Sequence, residues 1–191
     1  MGIISTLFAL ETWKPNIKHI YANEITKAIA EGHEGLYFIE HDNNRLYVYR
    51  GNRELDKDYC DLNHMTVYDL EYTGGPLIGS ALDLSFGFVL PEDSINVNKY
   101  ILATLVEILK KYGLDAHWMG NDLMVDNKKV GGSFVQKVGN RYVWCMQISF
   151  RDYSKHIKNL CTKPTIKRPS YINPRMLSRE QLKAEIIKAF T

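Results

Sequence analysis

Gly120-Asn121-Asp122-Leu123-Met124-Val125-Asp126-Asn127-Lys128-Lys129-Val130-Gly131-Gly132-Ser133 is the stretch on which the reading of this chain turns. A short apolar run reaches a polar turn at Asp126-Asn127-Lys128, and a second run opens with Lys129 and two glycines. Asn and Asp tolerate the backbone angles of tight turns, so the pattern predicts a β-hairpin. Folding it brings a carboxylate (Asp122), an ammonium (Lys129) and side-chain-free backbone (Gly131, Gly132) close together. A site for a phosphate-activated carboxylic acid uses each of these. A carboxylate holds Mg²⁺, a lysine neutralises anionic oxygens, and glycine lets a ligand lie against the backbone. Hairpin turns also favour solvated lysines, and the residues alone leave that reading open.

Outward from the hairpin, Val97 to Tyr112 predicts a helix, with Ile101, Leu105, Ile108, Leu109 and Tyr112 in register and Gly113 as its stop. Leu82 to Leu90 is an apolar strand of the kind covered on both faces. A short strand is expected near Leu114–Trp118, and the hairpin should continue across Gly139-Asn140 into Arg141–Phe150. Toward the N-terminus, Pro15 to Gly32 reads as a helix, with Ile17, Ile20, Tyr21, Ile25, Ala28 and Ile29 on one side. Leu36–Glu40 and Arg45–Arg50 read as a hairpin through Asp42-Asn43-Asn44. Met65–Tyr72 is a strand running into the loop Thr73–Gly79. Pro164 to Pro174 reads as a linker. After it Ser178 and Gln181 are spaced for a capping box and Leu177 and Leu182 for a hydrophobic staple, with Leu182, Ile186 and Phe190 as a core stripe.

The expected fold class is α+β: a mostly antiparallel β-sheet flanked by helices, with a small C-terminal helical segment. A length of 191 residues, 45% hydrophobic and 24% charged, suits a globular chain with a sizeable core. Twelve tyrosines and seven phenylalanines suit a sheet-rich fold. Net charge is +2. It is unevenly spread, because residues 155–191 carry nine Lys/Arg against two Asp/Glu. A basic end of this kind favours an acidic partner. No RNP-like motif appears, so no nucleic-acid partner is expected. Ile3–Leu10 is too short for a membrane span. Cys60, Cys145 and Cys161 form no metal-ligand or CxxC spacing, so a reducing cytoplasm is the simplest compartment.

The hairpin resembles the central motif of the biotin/lipoate protein ligase and octanoyltransferase superfamily. Asn121-Asp122 and Lys129-Val130-Gly131-Gly132-Ser133 are similar to its Asn-Asp pair and its lysine–small residue–glycine run, closest to the form in lipoate–protein ligase A-like domains. Thr73, Gly74 and Gly75 resemble part of the family's glycine-rich loop, and Leu82-Asp83-Leu84-Ser85-Phe86 resembles the strand that follows it. The resemblance implies a catalytic domain over residues 1–162 and a linker with a helix over 163–191. It implies ATP-dependent attachment of a lipoyl, octanoyl or biotinyl group to a lysine of a small acidic carrier domain, through an acyl-adenylate and with Mg²⁺. In that scheme Lys129 holds acyl and phosphate oxygens and Asp122 places Mg²⁺. Asn121 orients the hairpin, while Thr73, Gly74, Gly75, Gly131 and Gly132 admit substrate and nucleotide. The family's paired arginines and its His-Asp pair have no counterpart, and Pro76 stands where its third glycine would be. Two alternatives follow: an ATP-independent octanoyltransferase using Cys161 as acyl-carrying nucleophile, and a ligase-like protein that binds without catalysis.

Overall fold

The computed structural model describes residues 15–21, 31, 33–41, 45–50, 55–69, 77–90, 97–160 and 169–191. The expected α+β class holds. Strands β1 (Ile17–Tyr21), β2 (Gly35–Glu40), β6 (Leu84–Leu90), β7 (Ala116–Met119), β8 (Asp122–Val125), β9 (Lys128–Val138) and β10 (Arg141–Ile148) form one sheet in the order β1-β2-β6-β10-β9-β8-β7. Strands β3 (Tyr47–Arg50), β4 (Thr66–Asp69) and β5 (Leu77–Gly79) form a second, ordered β4-β3-β5. All pairs are antiparallel except β1 with β2 and β3 with β4. The helices are α1 (Lys57–Leu62), α2 (Val97–Lys111), α3 (Ser154–Leu160) and α4 (Arg179–Phe190).

Alternation along the strands sends the two sets of side chains to different partners. Leu36 and Phe38 of β2, Leu84, Phe86, Phe88 and Leu90 of β6, and Trp144, Met146 and Ile148 of β10 join α2 and α4 in the main core. Trp144 is fully buried, its ring centroid 5.5 Å from that of Phe86 and 5.7 Å from that of Phe88. Residues in between, including Tyr37, Ile39, Val89 and Val143, pack with Tyr47 and Tyr49 of the small sheet.

The C-terminal helix keeps its expected start. Ser178 accepts from Gln181 N at 3.2 Å while the Gln181 side chain accepts from Ser178 N at 2.9 Å. Leu182, Ile186 and Phe190 lie in the main core. Arg179 fastens the helix to the sheet, donating to Glu40 at 2.9 Å and to the Asp83 carbonyl at 3.0 Å. Asp83, almost fully buried, accepts from Ser80 N, Phe150 N and the Tyr153 hydroxyl. Burial raises its carboxyl above the usual range.

Three local expectations fail. Ile17–Tyr21 is not the start of a helix but an edge strand parallel to β2, with Asn16 O accepting from Leu36 N at 2.9 Å; residues 22–30 and Gly32 lie outside the described residues. The spacing of Ile17, Ile20 and Tyr21 satisfies either element, and pairing with a remote strand decides it. The second failure is the hairpin of Leu36–Glu40 with Arg45–Arg50. Both edges of β2 are taken, by β1 and β6, so the chain crosses to the second sheet at β3. The third is Leu77–Gly79, which pairs with β3 as a strand rather than continuing the loop. Helix α1, capped by Asp56 accepting from Tyr59 N at 2.9 Å, and α3 were not expected.

Candidate active site

The hairpin forms as the sequence implied. Its turn is two residues, Asp126 and Asn127, both with positive φ (50° and 59°), which joins Val125 to Lys128 with the strand twist intact. Before it, Gly120 (φ 63°) and Asn121 turn β7 into β8. The Asn121 side chain accepts from Asn98 Nδ2 at 2.9 Å, and Asn98 Oδ1 accepts from Trp144 Nε1 at 2.8 Å. Ser133 Oγ sits 2.9 Å from the Asn121 carbonyl and 3.0 Å from Asn98 Oδ1. The turn is thereby tied to the first residues of α2 and to the central tryptophan.

A bulge then aims the lysine. Val125 pairs with Lys128 and Met124 with Lys129, but Leu123 pairs with Gly131, so Val130 is the extra residue. Three residues apart on a regular strand, Lys129 and Gly132 would face opposite sides. The extra residue puts both on the side of Asp122, because cross-strand partners share a face. Lys129 Nζ lies 2.8 Å from Asp122 Oδ1, the side chains being 36% and 13% exposed. A Cβ added to Gly132 would stand 3.0 Å from that Nζ and 3.4 Å from the Asp122 oxygen. Glycine is what leaves room for the pair. At Gly131 a Cβ would meet the Gln147 carbonyl at 2.8 Å, a packing demand of the β9–β10 ladder. The Lys129 backbone is held from the side, its carbonyl accepting from Ser170 N at 2.7 Å.

The structure therefore brings together Asn121, Asp122, Lys129, Gly131 and Gly132. Thr73, Gly74, Gly75 and Cys161 lie outside the described residues. Of the other cysteines, Cys145 packs its sulfur where a Gly87 Cβ would be, and burial pushes its thiol up to about 12. Cys60 is buried and raised for the same reason. Neither is poised as a thiolate. Trp118 is partly exposed on the edge strand β7.

Sequence reasoning did not single out the polar residues that continue the site. Asp122 pairs with Gly132, Gly132 with Gln147, Gln147 with Ser85 and Ser85 with Ile39, a single row across five strands on one face. At its far end, just beyond Ile39 and Glu40, His41 stacks on Tyr47 with ring centroids 3.5 Å apart. Its Nε2 is 3.4 Å from both Ser85 Oγ and the Tyr49 hydroxyl. Tyr47 Oη is 3.2 Å from Ser85 Oγ, and Gln147 Nε2 donates to Ile78 O at 2.7 Å. Burial lowers the His41 pKa to about 4, so the ring is neutral near pH 7. The available signal was a lone polar residue inside each apolar strand, Ser85 in β6 and Gln147 in β10.

No family model and no curated protein matches the chain by sequence. Solved structures do match. Lipoate-protein ligase A bound with ATP superposes with a TM-score of 0.77 at 18% identity, over 93% of this chain and 84% of that one. The fold is that of the lipoate and biotin protein ligases. A bi-partite lipoate protein ligase from Thermoplasma acidophilum, studied with its E2 lipoyl domain, gives a TM-score of 0.74 at 17% identity, over 93% and 82%. Biotin protein ligase from Aquifex aeolicus, in complex with biotin and ATP, gives 0.56 at 13% identity, over 92% and 68%. Among the described residues no helix is long and apolar enough to cross a membrane.

Proposed function

We propose that this chain activates a lipoate-, octanoate- or biotin-like carboxylic acid with ATP and transfers the acyl group to a lysine of a carrier domain. The observation that carries the reading is the Lys129 ammonium, aimed by the Val130 bulge and held 2.8 Å from Asp122 above the bare backbone of Gly132. The fold supports it, as do the ligands of its structural neighbours: ATP in one ligase, biotin with ATP in another.

In the first half-reaction a substrate carboxylate oxygen attacks the α-phosphorus of ATP, and pyrophosphate leaves. In the second, the acceptor lysine nitrogen attacks the acyl carbon and AMP departs with the bonding pair. Negative charge grows on oxygen at both stages. A cation fixed before the reaction begins stabilises it without reorganising. Lys129 takes that role, donating to the acyl and phosphate oxygens, and Asp122 sets its direction. Asn121 keeps the hairpin on α2 and Gly132 lets the ligand approach, whereas Gly131, expected to share that role, faces the core side and serves the packing of the ladder. Thr73, Gly74 and Gly75 complete the nucleotide side in this proposal. Among the described residues no three or more His, Cys, Asp or Glu cluster as metal ligands. Asp122 would then supply one oxygen to Mg²⁺, with phosphates and water as the rest, the usual manner of nucleotide-bound Mg²⁺.

The partner in this reading is a carrier domain whose acidic surface meets the basic C-terminal end, where Lys155, Lys158, Arg175, Arg179, Lys183 and Lys188 outnumber Glu180 and Glu185. ATP–pyrophosphate exchange tests the function directly. Exchange dependent on lipoate, octanoate or biotin is expected, and a folded chain that exchanges with none of them overturns the reading.

A further inference from the structure

Lys129 faces Asp122 because of the bulge at Val130, and the bulge has a visible support. On a regular strand successive carbonyls point to opposite edges. On β9 two successive carbonyls point to one edge, the side away from β8. Val130 O accepts from Ser149 N at 2.8 Å, and Lys129 O accepts from Ser170 N at 2.7 Å. Strand β10 does not serve both. Its register with β9 ends at Ile148 opposite Gly131, and the chain then turns to Asp83, which accepts from Phe150 N at 2.7 Å. Residues 169–172 fill the notch this leaves beside Lys129. Pro169 forms a parallel bridge with Lys129, and Ile172 N donates to Ser149 O at 2.9 Å.

This strap is itself fixed from the core. Ile172 and Leu177 are buried in the main core together with the apolar stripe of α4. The packed strap therefore offers the Ser170 N–H at a set place, and that N–H takes the carbonyl the bulge has turned outward. Backbone carbonyls inside a fold need such a partner. With the extra residue removed from the ladder, Lys129 would stand opposite Val125 instead of Met124. Val125 belongs to the main core, so the side chain of Lys129 would leave the Asp122 face for the helix face.

We propose that Ser170 is a positioning residue for Lys129: through its backbone N–H it holds the Val130 bulge and so sets which face of the sheet carries the ammonium. Its effect on rate rests on the acid-activation reading above; its effect on the direction of Lys129 does not. Residues 169–191, expected as a linker and helix beside a catalytic domain, thereby become part of the site. Their packing against the core aims a side chain some forty residues earlier in the chain.

Ser170→Pro in the full chain deletes this one donor and tests the proposal. ATP–pyrophosphate exchange driven by lipoate, octanoate or biotin should fall by about 10², the scale for a catalytic group misplaced by about 1 Å. In a Lys129→Ala background the same substitution should cost less than about twofold, because the group it aims is already gone. Equal losses in the two backgrounds mean ordinary destabilisation and overturn the proposal. A second readout needs no activity. In protein carrying isotope-labelled lysine, Asp122→Asn should shift the Lys129 NMR signal in the wild-type chain and leave it unmoved in Ser170→Pro. A shift of the same size in both overturns the proposal. Should Ser170→Pro fail to fold, hydrogen exchange on the wild-type chain decides. The Ser170 amide should be protected as strongly as those of Ser149 and Ile172, and exchange at the rate of an open peptide overturns the role. A wild type without pyrophosphate exchange, whose Lys129 signal still answers to Asp122→Asn only while Ser170 keeps its N–H, overturns the activation reading and upholds the positioning one.

Discussion

The two faces of the seven-stranded sheet are built by alternate residues of the same strands, and they differ in kind. On the helix side β6 presents Leu84, Phe86, Phe88 and Leu90, and β10 presents Trp144, Met146 and Ile148, closed over by α2 and α4. On the other side the same strands present Ser85, Gly87, Cys145 and Gln147, flanked by His41 and the tyrosines of the small sheet. One face is dry and continuous. The other sets small and polar groups beside the apolar cluster of Tyr37, Ile39, Val89 and Val143, and ends in an ion pair. Burial of apolar surface holds the first together. The second gives up part of that gain for groups that point at one another and at a common row. In the proposed function the division places stability on one side and chemistry on the other.

Trp144→Ala should mark the stability side most sharply. The side chain is fully buried, packs on Phe86 and Phe88 and gives its indole N–H to Asn98. Its loss should cost about 3–5 kcal/mol in urea unfolding, the range for deleting a large core aromatic. Because Asn98 also holds Asn121, exchange activity should fall too. A loss below about 1 kcal/mol would show that the helix-side packing is not what secures the sheet.

Lys129→Ala should do the reverse. Removing one positioned donor of developing charge typically costs about 10²–10³ in rate. The ion pair with Asp122 is partly solvated, so the stability cost should stay near 1 kcal/mol. Lys129→Arg should not restore exchange, since a planar fork does not reproduce a point charge above Gly132. Exchange unchanged in Lys129→Ala would break the assignment of chemistry to this face.

How much of this was legible follows from how local each signal is. Helix α2, the capping box at Ser178 and Gln181, and the hairpin around Asp126-Asn127 are written within a few residues of themselves, and all three form. So is the pairing of Lys129 with Asp122, which needs only a two-residue turn. The bulge at Val130 was not legible, since a register slip depends on what the neighbouring strand and the segment at Pro169–Ser170 demand. Nor was β1, whose apolar spacing fits a helix until Leu36–Glu40 offers it an edge. The His41 cluster draws on β3, β6, β10 and the end of β2, brought together only by the sheet order. Long-range pairing decides each of these failures.

The polar face should also show itself in pH dependence. His41 is neutral when folded, with a pKa lowered to about 4 by burial, against an ordinary value near 6.5 in the unfolded chain. As pH falls below 6.5 the unfolded chain takes up the proton first, so stability present above 6.5 is lost until the folded pKa is passed. The loss should approach about 3 kcal/mol by pH 4 and level off below it. Thermal unfolding of wild type and His41→Phe at matched pH isolates this share, because Glu40 and His156 titrate in both. Parallel curves for the two proteins between pH 6.5 and 4 would mean that His41 is protonated in the folded chain and the face is wetter than its burial implies.

The smallest expected effect tests whether the dry face tolerates change at its border. Ser178 caps α4, accepting from Gln181 N while Gln181 returns the bond to Ser178 N, and Leu177 and Leu182 beside it are fully buried. Ser178→Ala leaves one helical N–H without its acceptor and should cost about 1 kcal/mol. The helix is additionally held by its apolar stripe and by Arg179 on Glu40 and on the Asp83 carbonyl, so it should remain docked and exchange activity should be unchanged. Asp83 itself is the link to watch. Its side chain fixes the turn leading into β6, one residue pair before Ser85. If the cap alone altered affinity for the acid, the border would be transmitting strain through Arg179 and Asp83 into the polar row, and the two faces would have to be treated as mechanically coupled.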